Sequence, residues 1–282
     1  RFEFGMTHAY AATADWLQLY FKFMQDPDQA MEKKIICLTE AIDHIAFDSL
    51  RHPIYPFPED REKYDSNRLK EAVEREDHRL AFALLNDALH REIPISELEQ
   101  TFAEIALHHY NDFGHSLIYT QKVFTLSALL EDREIDCCLI KALLRSLLYA
   151  TREDLLPEFQ NYQPRLEELL RQGFGKSSDV PTIDGDRTNK VLRWTVLASS
   201  NHSPEAIFHS LLFGNAENMT RYNTAFQSAY DGPVTQNVGW LDFTHALTFA
   251  NAVHHFAQKY PTIWPMGLLQ MACFYGRNQP FT

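Results

Sequence analysis

DFTHALTFANAV, from Asp242 to Val253, is the segment that best reveals the helical organisation of the chain. The chain carries a second version of it, DFGHSLIYTQKV, from Asp112 to Val123. Both versions follow the pattern D-F-x-H-x-L-x-[FY]-x-x-x-V, and their leucine, aromatic and valine positions have the spacing of a helix with one packed face. We therefore predict that each stretch is a helix with a histidine near its start.

A second match follows each motif at a similar distance. Residues 142–152 align without a gap with residues 267–277, from a pair of leucines to an arginine. This pattern is typical of a returning helix, because a cation near the C-terminal end interacts favourably with the helix dipole. The matches predict an internal duplication of helical hairpins, with pseudo-repeats at about 66–172 and 189–282 and a weaker N-terminal copy at 1–58.

The remaining sequence also predicts helices, and we expect an all-α fold of antiparallel hairpins with about 11 or 12 helices in one domain, 1–282. Ser96, with Glu99 three residues later, predicts a capping box, and Ser203 before Pro204 predicts another helix start. The segment 173–187 has no periodicity and predicts a linker, a surface loop or a lid. The predicted helices span residues 4–25, 29–51, 66–90, 96–109, 113–130, 134–151, 152–172, 189–199, 204–214 and 218–230.

Charge and composition exclude several classes of partner. The 282 residues are 45% hydrophobic and carry a formal net charge of -12, which argues against nucleic acid and anionic membranes as partners. No apolar run reaches the roughly 18 residues of a membrane span, and the opening residues Arg1-Phe2-Glu3-Phe4 do not form a signal peptide. We predict a soluble, cytoplasmic protein.

The four cysteines do not have the spacing of a metal site. Cys137 and Cys138 are adjacent within an apolar helical run, while Cys37 and Cys273 are isolated. Because no C-x-x-C pair is present, a zinc or iron–sulfur site built on cysteine is disfavoured. We expect buried, reduced thiols.

The histidines of the repeat are the main candidates for chemistry. A histidine beside an apolar helix face is commonly a hydrogen-bonded core residue, and the aspartate before it is commonly a helix N-cap. However, duplicated hairpins that pack face to face would bring His115 and His245 together, and the N-terminal copy would add His8. We therefore predict that His115 and His245 are catalytic acid/base groups or metal ligands. The predicted metal ligands are His8, His115, His245, Asp112 and Asp242.

Other site architectures fit the sequence less well. Asp43 and Glu104 are further candidate carboxylates, but a carboxylate-bridged di-iron bundle requires E-x-x-H on two helices, and that motif is missing. The chain also lacks G-x-S-x-G, H-E-x-x-H, a Gly-rich phosphate loop and a Rossmann fingerprint. An iron, zinc or manganese site held by histidine is the metal site that remains.

A substrate pocket is the second functional prediction. The chain has 20 Phe, 12 Tyr and 4 Trp, most of which should lie in the core because helix packing requires large side chains, while a surplus could line a pocket. Thr248, Asn251 and His255 lie at helical spacing and form a polar stripe after His245. An internal, aromatic-lined cavity beside such polar groups would bind a hydrophobic or aromatic small molecule, and we predict Thr248 and Asn251 as substrate-binding residues.

Two motifs resemble a known family. Residues 114–123, GHSLIYTQKV, resemble the H-G-L-I-R-T-x-x-A-V helix of questin oxidase-like proteins, and residues 244–248, THALT, resemble their later H-A-[LV]-T segment. That family is mostly helical and includes enzymes of Baeyer–Villiger-type oxidation of polyketide quinones, with NADPH implicated. Related helical regions occur in proteins fused to a Rieske iron–sulfur domain.

The resemblance implies a monooxygenase-like oxidoreductase that uses His115 and His245, with NADPH as a cofactor and a redox protein as a partner. The chain departs from the pattern at two positions, with Ser116 in place of glycine and Tyr119 in place of arginine. Tyr119 is therefore the candidate substrate contact at the arginine position. The alternative hypothesis is a non-catalytic helical-repeat scaffold that binds a partner or a redox module.

Overall fold

A computed structural model describes residues 8–26, 28, 31–50, 55–109, 114–150, 159, 161–228 and 238–282. These residues form twelve α-helices and short 3-10 helices, and one isolated bridge between Ser177 and His202 is their only extended pairing. The predicted all-α fold is confirmed. The helices are α1 (Ala9–Met24), α2 (Met31–Ser49), α3 (Ser66–Glu74), α4 (His78–His90), α5 (Ile95–His108), α6 (His115–Leu130), α7 (Arg133–Leu148), α8 (Tyr162–Gln172), α9 (Thr188–Ser199), α10 (Pro204–Arg221), α11 (Trp240–Lys259) and α12 (Trp264–Asn278).

The helices divide into two compact units. Unit 1 comprises Arg1–His109 and Ile118–Ala150, and unit 2 comprises Tyr110–Leu117 and Thr151–Thr282. The first turn of α6 thus belongs to unit 2 and the rest of α6 to unit 1. The boundaries of these units differ from those of the pseudo-repeats, and both the internal duplication and the single domain stay predictions.

Unit 1 contains a core of α3, α4, α5 and α7 and a hairpin of α1 and α2. Leu69, Phe82, Phe102 and Leu144 are fully buried in this core. An ion pair connects α6 with α1: Lys122 Nζ lies 2.6 Å from Asp15 Oδ1. Burial of apolar surface contributes a free energy on the order of 25 cal/mol per Å² and accounts for most of the stabilisation of such a core.

Unit 2 is organised around α12, which packs against α8, α9, α10 and α11. Two glycines of α12 permit close approach: a Cβ on Gly267 would lie 2.6 Å from Val253 Cγ1 of α11, and one on Gly276 would lie 2.3 Å from the Thr188 backbone nitrogen. Because helices can approach closely where no side chain intervenes, these two positions set how α11 and α9 lie on α12.

The predicted helix 66–90 is wrong, because it is two helices. Glu76 adopts φ +55°, which ends α3. Asp77 then caps α4 by accepting a hydrogen bond from Leu80 N at 3.0 Å, as Asp65 caps α3 through Arg68 N. Aspartate caps and a left-handed residue between them override the helical composition of the segment.

Two further predicted helix boundaries are wrong, and one is confirmed. The Ser96 capping box is wrong: α5 starts at Ile95 after Pro94, and buried Ile95 takes the first helical position. Ser203 caps α10 as predicted, since its Oγ accepts from Ala206 N. In contrast, α10 continues through Gly214 to Arg221, because the missing side chain there leaves room for the Tyr275 ring, which a Cβ would meet at 2.6 Å.

The segment 173–187 is irregular, as predicted, and is anchored along its length. Gly175 N donates to Ser199 O at 2.7 Å and Ser177 N donates to Asn201 O at 3.0 Å. A Cβ on Gly175 would meet the Asn201 carbonyl carbon at 2.2 Å, so the segment runs directly against the end of α9. These contacts favour the surface-loop interpretation over the lid.

All four cysteines are free thiols. The expectation that they are all buried is wrong for Cys137, which is half-buried, and for Cys138, which is exposed on α7. Among the helices that the structure describes, none has the length and apolar character required to cross a bilayer.

Candidate histidine site

The start of α11 positions His245. Gly239 precedes the helix, and its N–H donates to Asp242 Oδ2 at 2.8 Å. The other carboxylate oxygen, Oδ1, lies 3.3 Å from Arg277 Nη2 of α12. An acidic group at the third helical position satisfies a free N–H and suits the positive end of the helix. Asp242 therefore fixes the first turn of α11, one turn before His245.

His245 and His115 are in direct contact. Their Nε2 atoms lie 2.9 Å apart, and their ring centroids are 4.5 Å apart with an interplanar angle of 75°. His115 is the first residue of α6, and its turn belongs to the same unit as α11. The prediction that the two repeat histidines converge is confirmed.

Gly114 allows His115 to reach this position. Its φ is +76°, and a Cβ there would lie 2.3 Å from Phe249 Cδ2, which is fully buried in α11. Only glycine combines a left-handed backbone with so close an approach. The Phe249 ring therefore lies directly against the backbone immediately before His115.

The hydrogen bonds of His245 select its tautomer. Its Nδ1 lies 2.6 Å from the carbonyl oxygen of Leu241, which can only accept, so Nδ1 carries the proton and donates. The Nε2 atom of the neutral ring then presents a lone pair toward His115. Without a metal, His115 Nε2–H donates to that lone pair.

Burial favours the neutral form of this imidazole. Partial desolvation lowers the pKa of His245 below its ordinary value, and the Leu241 carbonyl opposes this change only in part. Burial also raises the pKa of the Asp242 carboxyl, with Arg277 and the Gly239 N–H acting in the opposite direction. A neutral histidine is the form that accepts a proton or binds a metal.

The ring geometry is compatible with a shared metal ion. A metal–nitrogen distance of about 2.0–2.1 Å and tetrahedral angles place two ligand nitrogens roughly 3.3 Å apart, close to the separation found here. The Nδ1–H donation from His245 to a backbone carbonyl is the outer hydrogen bond that orients metal-binding imidazoles. His115 and His245 are among the described residues that could hold a metal ion.

The other predicted ligands have different surroundings. The contacts of Asp242 with Gly239 and Arg277 favour the N-terminal capping interpretation over the ligand interpretation. Asp112 lies outside the described residues. His8 precedes α1 in unit 1, and Glu104 accepts hydrogen bonds from Lys70 Nζ and Gln100 Nε2, both at 2.9 Å.

The candidate substrate-binding residues are in two environments. Thr248 and Asn251 are exposed on α11. The Thr248 hydroxyl donates to the His245 carbonyl at 3.1 Å. Tyr119 is buried in unit 1, where its ring meets His8 edge-on at 6.2 Å and burial raises the pKa of its phenol.

Sequence reasoning missed two features that build the site. Gly114 corresponds to Thr244 in the motif at 242–253. This glycine is the sequence signal that the turn before His115 has a left-handed backbone. Arg277 was recognised only as a cation near a helix end, whereas its guanidinium pairs with Asp242. The role of the Leu241 carbonyl had no sequence signal, because every residue has one.

Comparison of the chain with protein-family models, with curated proteins and with solved structures returned no match. The questin oxidase-like resemblance is therefore carried by the two short motifs alone. The geometry of the histidine pair stands independently of it.

Proposed function

We propose that this protein is a monooxygenase-like oxidoreductase whose reactive centre is built on His115 and His245. The observation that carries the proposal is the 2.9 Å approach of their Nε2 atoms. The two imidazoles face each other, and burial favours the neutral form of at least one. Such a pair can transfer a proton or supply two ligands to one metal ion. Ordinary core histidines would instead be satisfied separately by backbone or side-chain groups.

The proposal includes a transition-metal ion on this pair, and the sequence also predicts His8 as a ligand. Imidazole nitrogens suit iron, manganese or zinc, and an ion held by this pair keeps coordination positions for other molecules. Such an ion would supply Lewis acidity and, for iron or manganese, redox chemistry. The Leu241 carbonyl would hold the His245 ring in its binding orientation.

The proposed substrate is a hydrophobic or aromatic small molecule, such as a quinone. Thr248 and Asn251 follow His245 on α11 and are the proposed polar contacts. The sequence also predicts Tyr119 as a substrate contact. In the reaction, one atom of O₂ enters the substrate and the other leaves as water. Reduced nicotinamide, or a redox protein, supplies the two electrons. This electron source rests on the family resemblance.

Elemental analysis and turnover test the proposal together. Protein reconstituted anaerobically with Fe(II), Mn(II) or Zn(II) and then desalted should retain one ion per chain, and His245→Gln should lose it. His254→Gln is the matched control, because His254 is an exposed histidine on the same helix. Oxygen consumption with reduced nicotinamide and a hydroxylated anthraquinone should depend on His245 but not on His254.

The outcomes separate the parts of the proposal. A protein that retains no metal under any of these conditions removes the metal centre and leaves only the acid/base pair. Full oxygen consumption by His245→Gln removes the catalytic assignment. A bound metal without turnover, for any quinone or reductant, removes the oxidoreductase assignment and leaves a metal-binding protein.

The scaffold alternative is favoured by one observation. The helix α2 exposes several large apolar side chains, which is typical of a protein that binds another protein. Absence of both metal and turnover would make that alternative the better account.

A further inference from the structure

The exposed apolar surface of the described residues is concentrated on α2. Seven of the 21 large hydrophobic side chains that are exposed in these residues belong to this helix of 19 residues. Contiguous patches of this kind mark interaction sites, since isolated monomers avoid exposing them. The seven are Met31, Ile35, Ile36, Leu38, Ile42, Ile45 and Phe47.

Five of these side chains form a heptad pattern, which we call the α2 stripe. Met31, Ile35, Leu38, Ile42 and Ile45 are separated by alternating steps of four and three residues, and their exposed fractions are 64%, 56%, 36%, 64% and 49%. This alternation is the seam of a coiled coil. A lone solvent-facing helix surface would be polar.

The α2 stripe is a second apolar face, distinct from the one that the hairpin uses. Cys37 and Ala41 are only 1% and 3% exposed, and they lie on the side of α2 that packs in the hairpin with α1. The stripe is rotated by about a quarter-turn from this side, at 100° per residue. The hairpin with α1 therefore does not use the stripe.

The charges along α2 indicate how a second helix would lie on the stripe. The first part of the helix, with Glu32, Lys33 and Lys34, has a net charge of +1, and the later part, with Glu40, Asp43 and Asp48, has a net charge of -3. A parallel pair of α2 helices would place the acidic parts together. An antiparallel pair places each acidic part beside the basic part of the other helix, which is the favourable arrangement.

We propose that the α2 stripe pairs with the α2 stripe of a second copy of this chain, antiparallel and about a twofold axis. In this register Leu38 meets Ile42 of the second copy, Ile35 meets Ile45, and Met31 meets Ser49. Each contact occurs twice, as twofold symmetry requires. Each α2 is about 28 Å long, enough for nearly three heptads.

Sedimentation equilibrium tests the pairing. The 282-residue chain should approach twice its mass of 32.8 kDa as its concentration rises into the high micromolar range. Ile42→Glu, at the centre of the stripe, should weaken association at least 100-fold. Phe47→Glu is the matched control, because Phe47 is 59% exposed on the same helix but lies off the stripe.

Three results would overturn the pairing. The first is a protein that stays monomeric at every concentration. A monomeric protein that binds zwitterionic phosphatidylcholine vesicles in a flotation assay counts as the same result. The second is a dimer that survives Ile42→Glu, provided that circular dichroism shows the variant to be folded. The third is a dimer that Phe47→Glu disrupts as strongly as Ile42→Glu.

Cross-linking tests the orientation. In a Cys138→Ser background, which removes the exposed thiol, Met31→Cys protein is mixed with Ser49→Cys protein under mild oxidation. An antiparallel pair predicts a disulfide between the two variants and little cross-linking of either one alone. Efficient cross-linking of Met31→Cys protein with itself would show a parallel pair and contradict the proposed register.

Discussion

His245 Nε2 lies 2.9 Å from His115 Nε2, while the opposite nitrogen of the His245 ring, Nδ1, lies 2.6 Å from the Leu241 carbonyl oxygen. These two contacts define the protonation of the His245 ring. A proton on Nδ1 satisfies Leu241, and a second proton on Nε2 would face His115 in a half-buried setting. The neutral form of His245 is therefore the stable one.

The first prediction concerns the titration of His245. Because burial lowers the pKa of this ring, its midpoint should lie below the ordinary value of about 6.5. Imidazole chemical shifts followed by NMR in metal-free protein measure it, and His245→Gln assigns the resonance. A midpoint at or above that of the same residue in urea-unfolded protein would contradict the account.

The second prediction is the effect of this titration on stability. A histidine whose pKa is lowered on folding contributes stability above its unfolded value of about 6.5, and this contribution is lost as pH falls through the folded pKa. The difference in unfolding free energy between wild type and His245→Gln should therefore shrink between pH 7.5 and pH 5. Urea denaturation at each pH measures the difference, and a difference that grows toward acid pH has the wrong sign.

The third prediction concerns Gly114, whose backbone lies against Phe249. Gly114→Ala combines a left-handed backbone with a clash, whereas Gly173→Ala has φ +73° and nothing within 4 Å of the new Cβ. The control should cost about 1–3 kcal/mol from the backbone alone, because its ψ of -158° lies in a region that essentially only glycine adopts. Gly114→Ala should cost about 1–3 kcal/mol more, since overpacking adds to it. Chemical denaturation measures both, and equal losses would show that Phe249 does not confine this turn.

The fourth prediction concerns the ion pair of Asp242 and Arg277. Arg277→Met leaves a buried carboxylate without its cation and should cost about 3 kcal/mol at pH 7. Arg221→Met is the control, because Arg221 pairs with Glu217 on the exposed surface of α10, where loss of a pair costs roughly 0–1 kcal/mol.

The same pair predicts a pH dependence. A carboxyl whose pKa is raised on folding contributes stability that is present below its unfolded value and is lost as pH rises through the folded value. Removal of Arg277 raises that pKa further, so the cost of Arg277→Met should decrease between pH 7 and pH 4.5. In an Asp242→Asn background this decrease should disappear, and its persistence would assign the effect to another group.

The sequence predicted the histidine pair because the same motif occurs twice, although His115 is the first residue of α6 and His245 lies in the second turn of α11. It also predicted the helical class, since apolar spacing is a property of each segment alone. The break between α3 and α4 was missed because it depends on a left-handed residue, Glu76, that composition does not reveal. The exposure of Thr248 was missed because helical spacing shows which residues share a face but not which face is covered.

In the proposed function, His115 and His245 bind one metal ion between them. Competition against a chromophoric chelator, with Zn(II) or Co(II) and metal-free protein at pH 7.5, measures the affinity of wild type, His115→Gln, His245→Gln and the double variant. The account predicts a loss of about 10²-fold or more for each single variant, and for the double variant a loss smaller than the product of the two. Wild-type affinity in either single variant, or no binding by the wild type, would contradict it.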